Sequence, residues 1–492
     1  IKNKIFLTFL LLLIFVTVSF VLVYYSKKIS PKVSEKLKPI PYEPYLKKKI
    51  ETDFKSEIIF NDVANKKPFT PMLLELIRNA KTDIKLAMYS IDSDVLRDEL
   101  FLAAKRGVKV EVVLSVNKKT QHEVVFAGAP KNLNVRHVGS VDSNNRNLMH
   151  HKFVIFDHKL PSRTLVMGAF NWTQLQELFD PSFVIKTQDE AMVNVYLEEF
   201  ERLNNGQTGK KKLTTGDYRP WQADFEYNNG KLELWWSPGV AKNTIKQRLL
   251  DSLYEASSTI DVMIWQFSDQ DVVKAFRKKA SEGVKIRIIV DDFNAWRDAS
   301  KIKELLQVSS EHPNLEVITD ASRTIDFAKE IKPFLNKKNS DFNSFLHHHA
   351  AIIDGKTLIA GTNNWSYSAD FKNDESAFVT TINELVETYQ NSFNYHYSKL
   401  HGQSLEVSLV DNIITVKNLN DWQDLRLIVV AEDKKGIKNP RQCQQIIIKN
   451  SDINFEIDGE CANSYLNLFV VDYDGKVKAN KLLDILSTKA LE

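Results

Sequence analysis

Apolar residues along this chain fall into short strand-like runs and longer stretches of helical spacing, and the same succession occurs twice. Ile84 to Tyr89 is an apolar-rich run of strand length, after which Leu96, Leu100 and Ala103 recur at the spacing of one helix face. Gly107 then stands where a helix C-terminus favours glycine, and a further β-rich run follows. The second copy reads Ile260 to Trp265, then Val272, Phe276 and Ala280, then Gly283. Residues 80–114 and 256–290 align without a gap, so one fold is present twice. Apolar strands joined through helices predict an α/β fold with a parallel-type sheet covered by helices. Glu57 to Phe60 and Leu232 to Trp236 lie at corresponding places upstream and are expected to add one strand to each sheet.

Outside the repeat the pattern changes three times. Ile5 to Tyr25 is an uncharged run of 21 residues flanked by lysines, long enough at 1.5 Å per residue to span a hydrocarbon core of about 30 Å. No A-x-A-like exit follows it, so residues 1–28 read as an uncleaved single-pass signal-anchor. An N-terminal transmembrane helix of this kind commonly directs export, which makes the rest extracytoplasmic; the lysines after the run argue for the opposite side. Residues 26–52 hold eight lysines and four prolines and suit an extended tether. From about Gly402, runs such as Ile413 to Lys417, Leu425 to Val430 and Leu466 to Val471 alternate with polar turns and predict a small C-terminal β-sandwich. The expected organisation is therefore an anchor at 1–28, a linker at 29–54, lobes at 55–205 and 231–400 with a linker at 206–230, and a β-rich domain at 401–492. Asn204 to Gly209 and Lys210 to Lys212 read as surface linker.

Composition adds little. With 66 basic against 63 acidic residues the net charge is +3, which gives no general case for nucleic-acid binding. The two cysteines, Cys443 and Cys461, either form a disulfide or are separate buried thiols, and no CxxC metal motif occurs.

The chemistry sits at the end of each copy. The first reads His150-His-Lys152, with Asp157, Gly168 and Asn171 following; the second reads His347-His-His349, with Asp354, Gly361 and Asn364 following. Residues two apart on a strand face one side, so His150 points with Lys152 and His347 with His349, while His151 and His348 turn away. Cleaving a phosphodiester requires a nucleophile, a proton donor for the departing oxygen, and cations or N–H donors for the phosphoryl oxygens. Two histidines with lysine and asparagine supply such a set.

These segments resemble the paired motif of the phospholipase D superfamily, and with the repeats the resemblance covers residues 55–400. It implies two phospholipase D-like lobes related by pseudo-twofold symmetry around one site, with no metal or other cofactor. His150 is then the nucleophile that becomes a phosphohistidine, and His347 the acid and later the base. Lys152, Asp157, Asn171, Asp354 and Asn364 complete the motifs. Glu375 matches the trailing acidic residue and Asp180 is its nearest equivalent in the first copy, each expected to brace an imidazole. The departures are His349 for the second lysine, Ala169 for the hydroxyl residue, and Thr362, which keeps a hydroxyl. His349 can clamp phosphate only when protonated, below about pH 6.5 for an ordinary imidazole.

The leading expectation is an enzyme hydrolysing or transferring the phosphatidyl group at a phospholipid membrane. A membrane-anchored endonuclease with Lys210 to Lys212 lining a basic groove for nucleic acid, a cardiolipin-synthase-like transferase, a weakened phosphate-binding protein and a zinc site on His347 and His349 stand as alternatives. No protein partner is implied.

Overall fold

The computed structural model describes residues 46–61, 69–142, 146–214, 222–239, 244–319 without 296 and 298, and 346–401. Of the C-terminal region it describes 406–410, 413–417, 426–432, 441–449, 452–457, 465–471 and 477–484. The run Ile5 to Tyr25 lies outside the described residues, and among those described no helix is long and apolar enough to cross a membrane.

A short strand, β1 (Leu46–Lys49), comes first. One seven-stranded sheet then contains β2 (Ser56–Phe60), β3 (Asp83–Met88), β4 (Lys109–Ser115), β5 (Leu133–Val138), β6 (Lys152–Phe156), β7 (Thr164–Gly168) and β8 (Phe183–Thr187), in the spatial order β2-β8-β7-β6-β3-β4-β5. The second sheet contains β9 (Gln222–Tyr227), β10 (Gly230–Trp236), β11 (Thr259–Ile264), β12 (Lys285–Val290), β13 (Leu315–Thr319), β14 (His349–Ile353), β15 (Thr357–Gly361) and β16 (Ser376–Thr380). Its order, β1-β9-β10-β16-β15-β14-β11-β12-β13, repeats the first sheet strand for strand from β10 onward. Both expected upstream strands are present, as β2 and β10.

The sheets are mixed, which corrects the parallel expectation. β3, β4 and β5 run parallel, as do β11, β12 and β13, because helices return the chain across the sheet. The motif strands β6 and β14 instead lie antiparallel to β3 and β11, and tight returns then add β7 and β15 antiparallel to them. Gly168 and Gly361 are required here. A Cβ on either would stand 2.2 Å from the carbonyl oxygen of Phe183 or Ser376 on the adjoining strand.

Helices Thr70–Asn79 and Asp94–Lys105 cover the outer face of the first sheet with Ile84, Leu86 and Met88 beneath them. Ile245–Glu255, Gln270–Ser281 and Ile302–Glu311 do the same for Ile260, Val262 and Ile264. The opposite faces, with Ala87 and Phe153 from one lobe and Met263 and Ala350 from the other, share a single core with residues of helices Glu190–Asn204 and Asn383–His401. The lobes are thus joined through a buried apolar interior.

Two segments expected as linkers contribute to this body. β1 pairs in parallel with β9 and extends the second sheet. Lys212, in the run read as surface linker, is buried. The C-terminal region forms antiparallel sheets of three and four strands that share a core of Ile414, Val416, Leu427, Val429, Leu466 and Leu468, as its alternating pattern predicted. Cys443 there is disulfide-bonded, and Cys461 lies outside the described residues.

Candidate active site

His150 and His347 stand just before the central strands β6 and β14, and the backbone of each is held by the other lobe. His150 N–H donates to Asp374 O and His347 N–H to Pro181 O, both at 2.9 Å. Asp374 and Pro181 occupy matching places before β16 and β8, so the two copies exchange equivalent bonds. Tyr89 and Trp265, one position beyond β3 and β11, likewise pack on His150 and His347 with ring centroids 4.7 and 5.1 Å away.

Side-chain chemistry is concentrated on His150. Its Nδ1 is 2.6 Å from Glu375 Oε2, a carboxylate from the second lobe. That carboxylate also accepts from Thr362 Oγ1 at 2.7 Å and Asn373 Nδ2 at 3.0 Å. Burial pushes the Glu375 carboxyl up, but His150, Lys152 and Thr362 together hold it below its ordinary value. An ionised acceptor fixes the proton on Nδ1 and leaves Nε2 as an unprotonated acceptor. Lys152 Nζ lies 3.3 Å from that Nε2 and donates to His150 O at 2.8 Å. Burial lowers the Lys152 ammonium to about 7 against the opposing pull of Glu375, and burial lowers His150 too. The paired orientation of His150 and Lys152 is as expected from strand alternation.

His347 has the same backbone setting and none of these partners. Its Nδ1 is buried without a hydrogen-bond partner among the described residues. The register that places Glu375 before β16 places Ser182 before β8, and Ser182 Oγ is also buried and unpartnered. Asp180, expected as the bracing carboxylate of the first copy, instead matches Asn373; its backbone O accepts from Asn61 Nδ2. Ala169 stands where Thr362 supplies its hydroxyl in the other copy. His349 packs edge-on against His347 with centroids 5.3 Å apart, and neither of its ring nitrogens is paired. Burial, then His347 and Lys152, hold the His349 imidazole well below its ordinary value. These surroundings thus disfavour the cationic form that a phosphate clamp at His349 would need.

Two expected site residues are placed elsewhere. Asp157 and Asp354 follow the far ends of the five-residue strands β6 and β14. Asp157 accepts from the backbone N–H groups of Lys81 and Thr82, and Asp354 from those of Ser257, Ser258 and Thr259. Both take positive φ, 49° and 53°, which an aspartate tolerates in a turn. They tie each motif hairpin to the strand beside it. Asn171 and Asn364 precede the N-caps Thr173 and Ser366 of short helices, and the Oδ1 of each is buried without a partner.

Beneath His150 lies an ionic network absent from the sequence reading. His151 Nε2 is 2.9 Å from Glu199 Oε1, Lys212 pairs with the same carboxylate, and Lys212 Nζ is 2.7 Å from Asp374 Oδ1. Burial opposes the Lys212 charge, yet its two carboxylates raise it above an ordinary lysine. Lys212 therefore cannot line a basic groove. His348, the counterpart of His151, has the neutral Tyr389 Oη at 2.6 Å in place of a carboxylate. Among the described residues no group of three or more His, Cys, Asp or Glu side chains is arranged to hold a metal ion.

Residues 73–204 and 249–397, more than half the chain, match the family model of the cardiolipin synthase, PLD-like domain. The chain belongs to that family. It is thereby a member of the phospholipase D superfamily, with one matched segment in each copy of the repeat. Similar proteins include the mitochondrial cardiolipin hydrolases of Chlamydomonas reinhardtii, 26% identical over 31% of this chain and 56% of that protein, and of Homo sapiens, 30% identical over 27% and 49%. The chain spans about half the length of the curated relatives it matches. The solved phosphatidylserine synthase of Haemophilus influenzae Rd KW20 is similar over 70% of this chain and 86% of its own, at 13% identity and a TM-score of 0.48.

In this PLD-like site an oriented imidazole, its carboxylate and a lysine amine stand together at His150, Glu375 and Lys152. The signal for Ser182 was in the sequence: it lies eleven residues beyond Asn171, as Glu375 lies eleven beyond Asn364.

Proposed function

We propose that this chain is a phosphodiesterase of the phospholipase D type that transfers the phosphatidyl group of a phospholipid to water or an alcohol through a phosphohistidine on His150. The reading is carried by the 2.6 Å contact between His150 Nδ1 and the Glu375 carboxylate of the other lobe. With the proton fixed on Nδ1, Nε2 attacks phosphorus while Lys152 and the amides of Asn171 and Asn364 hold the phosphoryl oxygens. His347 handles the proton of the incoming water or alcohol. The relatives named for cardiolipin hydrolysis support a lipid substrate, and the uncharged run Ile5 to Tyr25 would hold the site at a membrane. Nucleic acid is the less supported substrate, because Lys212 is committed to a buried ion pair.

The test is the purified chain incubated with labelled phospholipids and with single- and double-stranded DNA, with and without chelator, followed by acid-labile phosphoenzyme detection. Phospholipid turnover with label on His150, surviving chelation, is expected. Cleavage of DNA alone, or turnover with no phosphohistidine, overturns the reading.

A further inference from the structure

The two halves of the site differ by three losses that all fall on one histidine. Opposite His150 stand Glu375 and Thr362; at the matching places opposite His347 stand Ser182 and Ala169; and beside His347 the lysine is replaced by His349. Among the described residues His347 Nδ1 and Ser182 Oγ are each buried without a partner, in the relation that elsewhere joins a carboxylate to an imidazole. Burial first, then Lys152, His150 and His348, disfavour a positive charge on His347.

A general acid must carry its proton before the leaving group departs. Removing the carboxylate from one imidazole while retaining it on the other leaves His347 without the brace that would hold a proton on it ahead of departure, so it is poorly equipped as an acid. We propose that this site is built for leaving groups that depart as stable anions, such as the phosphate released from a phosphoanhydride-linked phosphatidyl group, rather than for alkoxides. The inference rests on the phosphohistidine reading of the same site.

The steps balance without a donated proton. The Nε2 lone pair of His150 forms the N–P bond, the P–O bond to the leaving group breaks, and its oxygen keeps the electron pair. The Nδ1 proton stays hydrogen-bonded to Glu375. An acceptor alcohol or water then gives its proton to neutral His347, its oxygen attacks phosphorus, and the N–P electron pair returns to His150. The imidazolium so formed releases its proton to solvent. A phosphate leaves readily because its conjugate acid is far stronger than an alcohol, a phosphate monoester having a second pKa of about 6, whereas an alkoxide approaches the basicity of hydroxide, the pKa of water being about 15.7.

The experiment is a leaving-group series in mixed micelles: diacylglycerol pyrophosphate and the phosphatidyl esters of nitrophenol, phenol and ethanol, with the wild-type chain and Ser182→Glu. Wild-type kcat/KM is expected to fall steeply along the series, by about 100-fold or more from first to last, because acid assistance of about 10²–10⁴-fold is missing for the poor leaving groups. Ser182→Glu is expected to raise the ethyl ester rate about tenfold or more and to leave the pyrophosphate rate within about twofold, flattening the series. A shallow wild-type series overturns the inference whether or not the variant folds, since it shows an acid at work. Absence of turnover on every member overturns the phosphodiesterase reading itself, a result distinct from a shallow series.

Discussion

His150 and His347 occupy the same position in two copies of one sheet, with matched backbone bonds and matched aromatic neighbours, yet only one of them is chemically equipped. The difference teaches that the fold and the site are maintained by separate sets of residues. Backbone exchange between the lobes, the close strand contacts at Gly168 and Gly361, and the anchoring turns at Asp157 and Asp354 are symmetric. Carboxylate, hydroxyl, ammonium and the buried network behind His151 are all on the His150 side. A duplicated scaffold needs both halves to pack, whereas a covalent nucleophile needs only one oriented imidazole.

Substituting the two histidines separately gives the widest split between the halves. His150→Asn should remove the phosphoenzyme and lower turnover by roughly 10⁴-fold or more, as loss of a nucleophile does. His347→Asn should still form the phosphoenzyme from an activated ester and slow its breakdown. Trapping and quantifying the labelled intermediate in both variants checks this, and equal labelling of the two would break the asymmetry.

Glu375→Gln should come next, at about 10²–10⁴-fold, because an amide does not stabilise the charge that develops on the imidazole and can hold the wrong tautomer. A loss in kcat with KM little changed is the expected signature. A third comparison is made by pH. Attack requires His150 unprotonated and phosphate binding requires Lys152 protonated; burial puts the former below an ordinary imidazole and the latter near 7. In the free enzyme kcat/KM should therefore fall as pH rises through about 7, by up to tenfold per unit, and should also fall in acid as His150 takes a proton. Lys152→Arg should move the alkaline limb upward, since a guanidinium stays charged. Neutral His349 should contribute no limb of its own, and His349→Gln should leave the profile in place.

Much of this fold was legible because it is written twice. The ungapped repeat located β3, β4, β11 and β12 and the helices between them, since helix and strand periods differ and both copies agree. The direction of β6 and β14 was not legible, because an apolar run carries no sign of which way its neighbour runs. The site was legible as far as the motif spacing reached: His150 and Lys152 point together as strand alternation foresaw, whereas the pairing of Glu375 with His150 across the lobes could not be assigned from the sequence. Asp157 and Asp354 share that spacing for a reason of turn geometry, which a motif cannot distinguish from chemistry. Lys212 was read as solvated from its two lysine neighbours, and only the tertiary placement of Glu199 and Asp374 buries it. Its replacement by methionine should cost about 3–5 kcal/mol of stability, measured by denaturant unfolding, because two carboxylates are left without their cation.

The smaller effects sharpen the comparison at single atoms. Thr362→Ala gives the second lobe the residue that the first already has at Ala169. It removes the 2.7 Å hydrogen bond to the Glu375 carboxylate, and a bond to a charged group is worth about 1.5–3 kcal/mol, so a loss of about tenfold in kcat is expected. Ser182→Ala is the counterpart of a Glu375 truncation, and it should do almost nothing. The Ser182 hydroxyl is buried with no partner among the described residues, so deleting it breaks no bond there and removes a desolvated polar group. Activity within about twofold of wild type, with stability unchanged or slightly raised, is the expected result. A large drop in kcat from so slight a change would mean that Ser182 acts on His347 during turnover, and that the first lobe braces its partner's histidine after all.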